Sequence, residues 1–207
     1  MSLTLSAWYP VKAGVLFAAI MTIAAATRHA HHPFPRFGPA NQITTVRALL
    51  VAMAAGFIGE LGSSSAANAV VGLGAGAAAL DGVDGWLARR TKMTSGFGAR
   101  FDMEVDALLI QVLAILAWQH EKAGAWVLAS GLLRYAFVAA GWLWRWMRSP
   151  LPPSIRRKAI CGIQIVALLV TLAPSVTPPT SVVVAAAGLA ILSYSFLIDT
   201  IWLWAHR

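Results

Sequence analysis

Charge is scarce in this chain. Only 12% of its 207 residues are charged, about half the share usual in a soluble domain, too few to clothe a water-soluble fold. Cysteine is scarcer still. Cys161 stands alone, which excludes a disulfide-stapled module. Internal repeats are absent, as is low complexity beyond alanine-rich helix, and with 58% hydrophobic residues the chain is not a disordered one. Acidic residues number eight against sixteen Lys and Arg, for a formal net charge of +8. A nucleic-acid binder is often basic, but its basic patch needs a soluble face to sit on. No nucleic-acid partner is expected here; the phosphates of lipids or of a substrate are.

What remains is apolar helix. Long hydrophobic stretches fall at roughly 11–27, 42–60, 64–88, 97–119, 123–144, 157–174 and 181–203, most of them long enough to cross a hydrocarbon core of about 30 Å. The basic residues alternate with them. Arg28, Arg36 and Arg47 flank one loop; Arg89, Arg90, Lys92 and Arg100 the next on that side. Arg145, Arg148, Arg156, Arg157 and Lys158 flank a third, and Arg207 closes the chain, whereas the opposite loops hold only Lys122. By the positive-inside rule the basic side is cytoplasmic, and the chain is expected to be a multi-pass protein of the cell membrane. Trp142, Trp144, Trp146, Trp202 and Trp204 cluster at span ends, as interfacial tryptophans do. The stretch 11–27 is expected to span as well, and residues 28–40, with Pro33, Pro35 and Pro39, read as a hinge. The expected organisation is an N-terminal helix and hinge over 1–37 and a membrane domain over 38–207. The fold class is all-α: six transmembrane helices in a bundle plus one extra N-terminal hydrophobic helix.

The acids are not spread evenly. Asp81, Asp84, Asp102, Glu104 and Asp106 lie within 26 positions, at the cytoplasmic ends of two consecutive spans. Asp81, Asp84, Gly85 and Ala88 share one helical face, and Gly98, Asp102 and Asp106 share another. The short loop 89–97 would bring the two faces together. Four carboxylates at the end of a membrane bundle repel one another and are costly to keep ionised. Basic partners such as Arg89, Arg90 and Arg100 would relieve them, and so would a divalent metal. The oxygen donors of Asp81, Asp84, Asp102 and Asp106 select Mg2+, Mn2+ or Ca2+ over zinc. Gly85, Ala88 and Gly98 leave room for a bulky ligand beside the metal, as a diphosphate would require.

These residues carry a resemblance. Asp81-Gly-Val-Asp84-Gly85-Trp-Leu-Ala88-Arg89, eight residues, then Gly98-Ala-Arg-Phe-Asp102-Met-Glu-Val-Asp106 is similar to the D-x2-D-G-x2-A-R…G-x3-D-x3-D signature of the CDP-alcohol phosphotransferases, with every fixed position present. Asn41-Gln-Ile-Thr44-Thr-Val-Arg47 resembles the stretch that opens the family's first core helix, with Ala40 in place of a proline. The resemblance covers about residues 38–203. It implies attack of an alcohol hydroxyl on a CDP-linked donor, forming a phosphodiester and releasing CMP, with Mg2+ or Mn2+, two ions, as cofactor. It further implies that Asp81, Asp84 and Asp102 hold metal, and that Asp106 joins a second ion and is the general base. Asn41, Thr44, Asp81, Gly85, Ala88, Arg89 and Ser95 would seat the cytidine diphosphate. The implied partners are a CDP-linked lipid such as CDP-diacylglycerol, a small alcohol acceptor, membrane lipids and a second copy of the chain in a homodimer.

Downstream basic residues suggest where the acceptor goes. Arg134 lies mid-span, where an ionisable residue is a functional candidate by default. With Arg157 and Lys158 it could form a second anion site for a phosphorylated alcohol. Arg134 and the Lys158…Gln164 spacing resemble the phosphatidylglycerophosphate-synthase branch, although Arg157, Ile160 and Cys161 depart from its pattern. Two other classes handle similar acids. Intramembrane prenyltransferases place their Asp pairs about a hundred residues apart, whereas Asp84 and Asp102 are eighteen apart; a metal-ion transporter would keep its acids near mid-membrane. His29, His31 and His32 read as a solvated linker, and Gly72–Gly76 as close helix packing.

Overall fold

The computed structural model describes residues 5–31, 37–60, 63–91, 94–152 and 154–207, with the backbone alone for 28–31 and for 88–89. Among the described residues there is no strand. Seven α-helices follow one another: α1 Tyr9–His31, α2 Pro39–Ala55, α3 Ser64–Arg90, α4 Gly96–Gln119, α5 Ala129–Leu143, α6 Ile155–Leu172 and α7 Thr180–Ala205. This is the all-helical architecture that the apolar stretches predict. Among the described residues, four helices are long and apolar enough on their own to cross a membrane, over Tyr9–Thr27, Ser64–Leu87, Ala125–Leu143 and Thr180–Ala205. The other three are α2, with 17 residues, α4, which carries Asp102, Glu104 and Asp106 within its first three turns, and α6, which opens on Arg156, Arg157 and Lys158. The chain divides into two compact units, Met1–Val112 and Leu113–Arg207.

In the first unit, α2 begins where Gly38 takes a φ of 85° and Pro39 supplies the first helical residue. Proline is favoured there because its missing N–H would have had no partner in the helix. Small side chains fill the core where α2 meets α3: Ala48, Val51, Ala52 and Ala54 of α2 and Ala77 of α3 are wholly buried. Alanine faces let two helices approach closely, which is how membrane helices gain packing energy where water supplies none. α1 is pinned to the end of α2. Tyr9 Oη donates to the carbonyl of Met53 at 3.0 Å, and Lys12 Nζ reaches the carbonyl of Ile58 at 2.8 Å and Glu60 at 2.5 Å. The Tyr9 ring lies so close to Gly56 that a Cβ there would sit 2.8 Å from it.

In the second unit, Gln164 of α6 is fully buried and donates to Ser130 Oγ of α5 at 3.0 Å. Gly188 of α7 faces it, and a Cβ at 188 would lie 2.7 Å from Gln164 Oε1 and 2.9 Å from Ala167. Lys122, the basic residue that interrupts the charge asymmetry, has a structural task. Its ammonium meets the carbonyls of Ala173 and Val176 just beyond α6, and its own carbonyl accepts from Ser181 Oγ at 2.7 Å. A charge spent on helix-end carbonyls carries little topological information.

Candidate active site

The centre of the site is a residue that the sequence reading left out of it. Arg47 of α2 has no exposed surface, and its guanidinium meets all four aspartates. Nη1 lies 3.3 Å from Asp81 Oδ1, donates to Asp84 Oδ2 at 2.8 Å and also bonds Asp102; Nη2 bonds Asp106. Nε donates to the carbonyl of Ala77 at 3.0 Å, one turn before Asp81 on α3. Arginine suits this place because its fork offers five donors in a fixed plane and does not lose its charge. Of the two ways to relieve the acids, the structure thus supplies a basic partner, and it is drawn from α2.

One cation does not balance four acids. Four carboxylates and one guanidinium leave three negative charges at the ends of apolar helices, an expensive excess in a medium that solvates charge poorly. The donor chemistry fits a hard divalent ion: Asp81, Asp102 and Asp106 each offer a carboxylate oxygen, and these oxygens lie within 4.8 Å of one another. Their side chains are partly open, at 23%, 28% and 17%. Asp84 stands apart from this trio. It is buried, and its Oδ2 takes a second hydrogen bond, from Thr44 Oγ1 at 3.1 Å.

Beside the acids is a cleft of about 210 Å3, lined among others by Asn41, Thr44, Asp84, Gly85, Ser95, Gly98 and Asp102. Every described side chain that the resemblance assigns to the nucleotide, apart from Asp81, lines this cleft. Ala88 and Arg89 lie outside the described side chains. Two of the lining residues have local duties as well. Ser95 Oγ accepts from the Gly98 N–H at 3.0 Å, the N-cap bond that starts α4. Gly98, expected to make room for a ligand, also makes room for protein: a Cβ there would lie 2.8 Å from Asn41 Oδ1. Asn41 is itself buried, with its amide donating to the carbonyl of Phe37.

A family model described as CDP-alcohol phosphatidyltransferase matches residues 37–198. The chain belongs to the CDP-alcohol phosphatidyltransferase family. That membership makes it a membrane transferase that moves a phosphate-linked group from a CDP-alcohol in phospholipid synthesis. It sets aside the prenyltransferase and transporter readings. The family depends on a divalent metal, in keeping with the oxygen donors found here. No curated protein and no solved structure matches the chain significantly.

The expected acceptor residues lie in the second unit. Arg134 is on α5 and half-buried; Lys158 is exposed at the start of α6. Arg157 is engaged by protein, with Nη1 3.4 Å from Asp199 Oδ1 and Nη2 on the carbonyl of Pro152. Arg156 is held more firmly, at 2.5 Å from Asp199 and by two bonds to Ser195. Asp199, on α7 and buried, is thus the counter-ion of this basic cluster, a part that its place in an apolar run does not reveal. Arg47 was more accessible to reasoning. Asn41, Thr44 and Arg47 recur every three residues on one helical face, and a buried arginine on the face that meets acids is a natural neutraliser.

Proposed function

We propose that this protein transfers a substituted phosphate from a CDP-linked lipid, CDP-diacylglycerol, to the hydroxyl of a small alcohol, with or without a phosphate of its own. The observation that carries the reading is the cleft: a recess of about 210 Å3 that Asn41, Thr44, Gly85 and Ser95 line, with Asp84 and Asp102 of the carboxylate cluster in its wall. In this reading Asn41, Thr44, Gly85, Ala88, Arg89 and Ser95 seat the cytidine diphosphate together with Asp81. Asp81, Asp84, Asp102 and Asp106 hold Mg2+ or Mn2+, with two ions at full occupancy. When bound, the metal neutralises the diphosphate and stabilises CMP as the leaving group.

The remaining steps belong to the chain. The acceptor oxygen forms a bond to the lipid-side phosphorus, the bond from that phosphorus to the CMP oxygen breaks, and the hydroxyl proton passes to Asp106. Asp106 suits this task because its side chain keeps 17% of its surface open, where an acceptor hydroxyl can approach. Thr44 and Arg47 fix Asp84. Arg134, Arg157 and Lys158 attract the acceptor's anionic group, and the phosphatidylglycerophosphate synthases are the branch whose pattern they resemble. The bias of Lys and Arg toward one set of loops supports a site facing the cytoplasm, and a homodimer follows the family habit.

The test is CMP release by purified protein from CDP-diacylglycerol with Mg2+ or Mn2+, against glycerol 3-phosphate, inositol phosphate, inositol, serine and no acceptor. Release that needs metal and one acceptor, and that disappears in Asp106→Asn, establishes the reaction and names the product. Absence of metal-dependent CDP binding by calorimetry would sink it.

A further inference from the structure

We infer that Arg47 is a built-in counter-cation, a positioning residue that keeps the aspartate cluster assembled without metal and opposes the metal for the same carboxylates. The inference rests on the reading that these aspartates bind a divalent ion. Three features of the geometry lead to it. The guanidinium has no exposed surface, so it cannot trade its partners for water. Its Nη1 touches oxygens of Asp81, Asp84 and Asp102 at once, and Nη2 an oxygen of Asp106, so one side chain from α2 spans acids on α3 and α4. Its Nε is tied to the Ala77 carbonyl, which fixes the fork from behind.

The consequence is a matter of sign. Without Arg47, four carboxylates would face one another at the end of apolar helices, and the helices bearing them would be pushed apart until a metal arrived. With Arg47 in place, α2, α3 and α4 are joined at that point whether or not metal is bound. The same positive charge sits beside the trio of oxygens available to an ion, so it repels that ion and keeps it exchangeable. Arg47 thereby exchanges some metal affinity for a site that is formed in advance.

The experiment compares wild type with Arg47→Gln and Arg47→Lys, each purified with Mn2+ and then stripped with EDTA. Thermal unfolding is followed in EDTA and in Mn2+, and Mn2+ affinity is measured by electron paramagnetic resonance without any substrate. The expected Arg47→Gln protein melts below wild type in EDTA, recovers most of the difference in Mn2+, and binds Mn2+ about tenfold tighter or better. An Arg47→Gln protein that binds Mn2+ no more tightly than wild type overturns the inference, and so does an unchanged melting temperature in EDTA. If Arg47→Gln does not fold, Arg47→Lys decides: its single ammonium cannot bridge four acids, so Mn2+ should raise its melting temperature by more than it raises that of wild type. An equal or smaller rise refutes it. If wild type itself binds no Mn2+, the metal reading falls and the inference with it, whereas failure in the variants alone overturns only the role given to Arg47.

Discussion

Gly98 offers the sharpest test of how the cleft is built. A methyl group added there would be placed 2.8 Å from Asn41 Oδ1 and 3.4 Å from Ser95 Oγ, the first well inside van der Waals contact. Asn41 has little room to yield, being 95% buried, since its residual exposure is 5%, and bonded to the Phe37 carbonyl. Overpacking of this kind costs about 1–3 kcal/mol, while replacing a helical glycine by alanine returns about 1 kcal/mol. Gly98→Ala is therefore expected to be neutral to about 2 kcal/mol destabilised, with Asn41 displaced into the cleft. The matched control is Gly162→Ala in α6, where an added Cβ meets nothing within 4 Å; it should show only the helix gain. The assay is thermal unfolding in detergent together with CMP release at varied donor concentration. Gly98→Ala should raise KM for the CDP-linked donor several-fold while Gly162→Ala leaves it unchanged. A Gly98→Ala enzyme with wild-type KM and a melting temperature raised as in the control would refute the argument that Asn41 and Gly98 shape the donor site together.

Other expectations follow from the same contacts. Hydrogen bonds from Lys12 and Ser6 push the Glu60 carboxyl from its ordinary 4.5 down to about 2. A depressed carboxyl stabilises the fold above its unfolded value, so the stability difference between wild type and Glu60→Gln should be full at pH 7 and shrink as pH falls from about 4.5 toward 2; a difference independent of pH would contradict the ion pair. Gly56→Ala should loosen α1 by driving a methyl into the Tyr9 ring, read as faster proteolysis near residue 31 with CMP release largely retained. Asp199→Asn should free Arg156 and Arg157 and lower KM for a phosphorylated acceptor if that acceptor binds there, without changing KM for the donor; a change confined to the donor would place the basic cluster at the other substrate. Gly188→Ala, which sets a Cβ 2.7 Å from Gln164 Oε1, should be neutral to about 2 kcal/mol destabilised in melting experiments once the helix gain is set against the overpacking, with no selective effect on either substrate.

The helices and the aspartate constellation were legible because each is a local pattern. Apolar runs of the right length declare spans, and Asp81–Asp84 and Asp102–Asp106 declare faces, through spacings of three and four that any helix imposes. Position along the chain carried less about partners. Arg47 lies 34 residues before Asp81; the three-residue spacing of Asn41, Thr44 and Arg47 marks a helical face but not what that face meets, which depends on α2 lying against α3, as the alanines at 48, 52, 54 and 77 permit. Asp199 was opaque for the same reason, since its arginines come 43 and 42 residues earlier. Glycines were legible as permission for close approach, but what approaches Gly98 is a side chain of the protein as well as the cleft.

The two charged clusters follow one rule with opposite signs. Around Arg47, four acids share one buried cation and keep a net negative balance, which favours positive ions. Around Asp199, two arginines share one buried acid and keep a net positive balance, which favours an anion. In both, the minority charge is the more buried: Arg47 has no exposed side-chain surface where Asp81 and Asp102 have 23% and 28%, and Asp199 has 8% where Arg156 and Arg157 have 29% and 30%. A buried counter-ion holds the majority charges in place while leaving their outer faces to a ligand. The arrangement predicts a shared signature. Neutralising either minority residue should weaken the empty protein and strengthen binding of the ligand whose charge is opposite to the cluster, Mn2+ for Arg47→Gln and a phosphorylated alcohol for Asp199→Asn. Loss of stability together with loss of that binding would mean that the minority charge shapes the ligand site directly, and the electrostatic account would fail for that cluster.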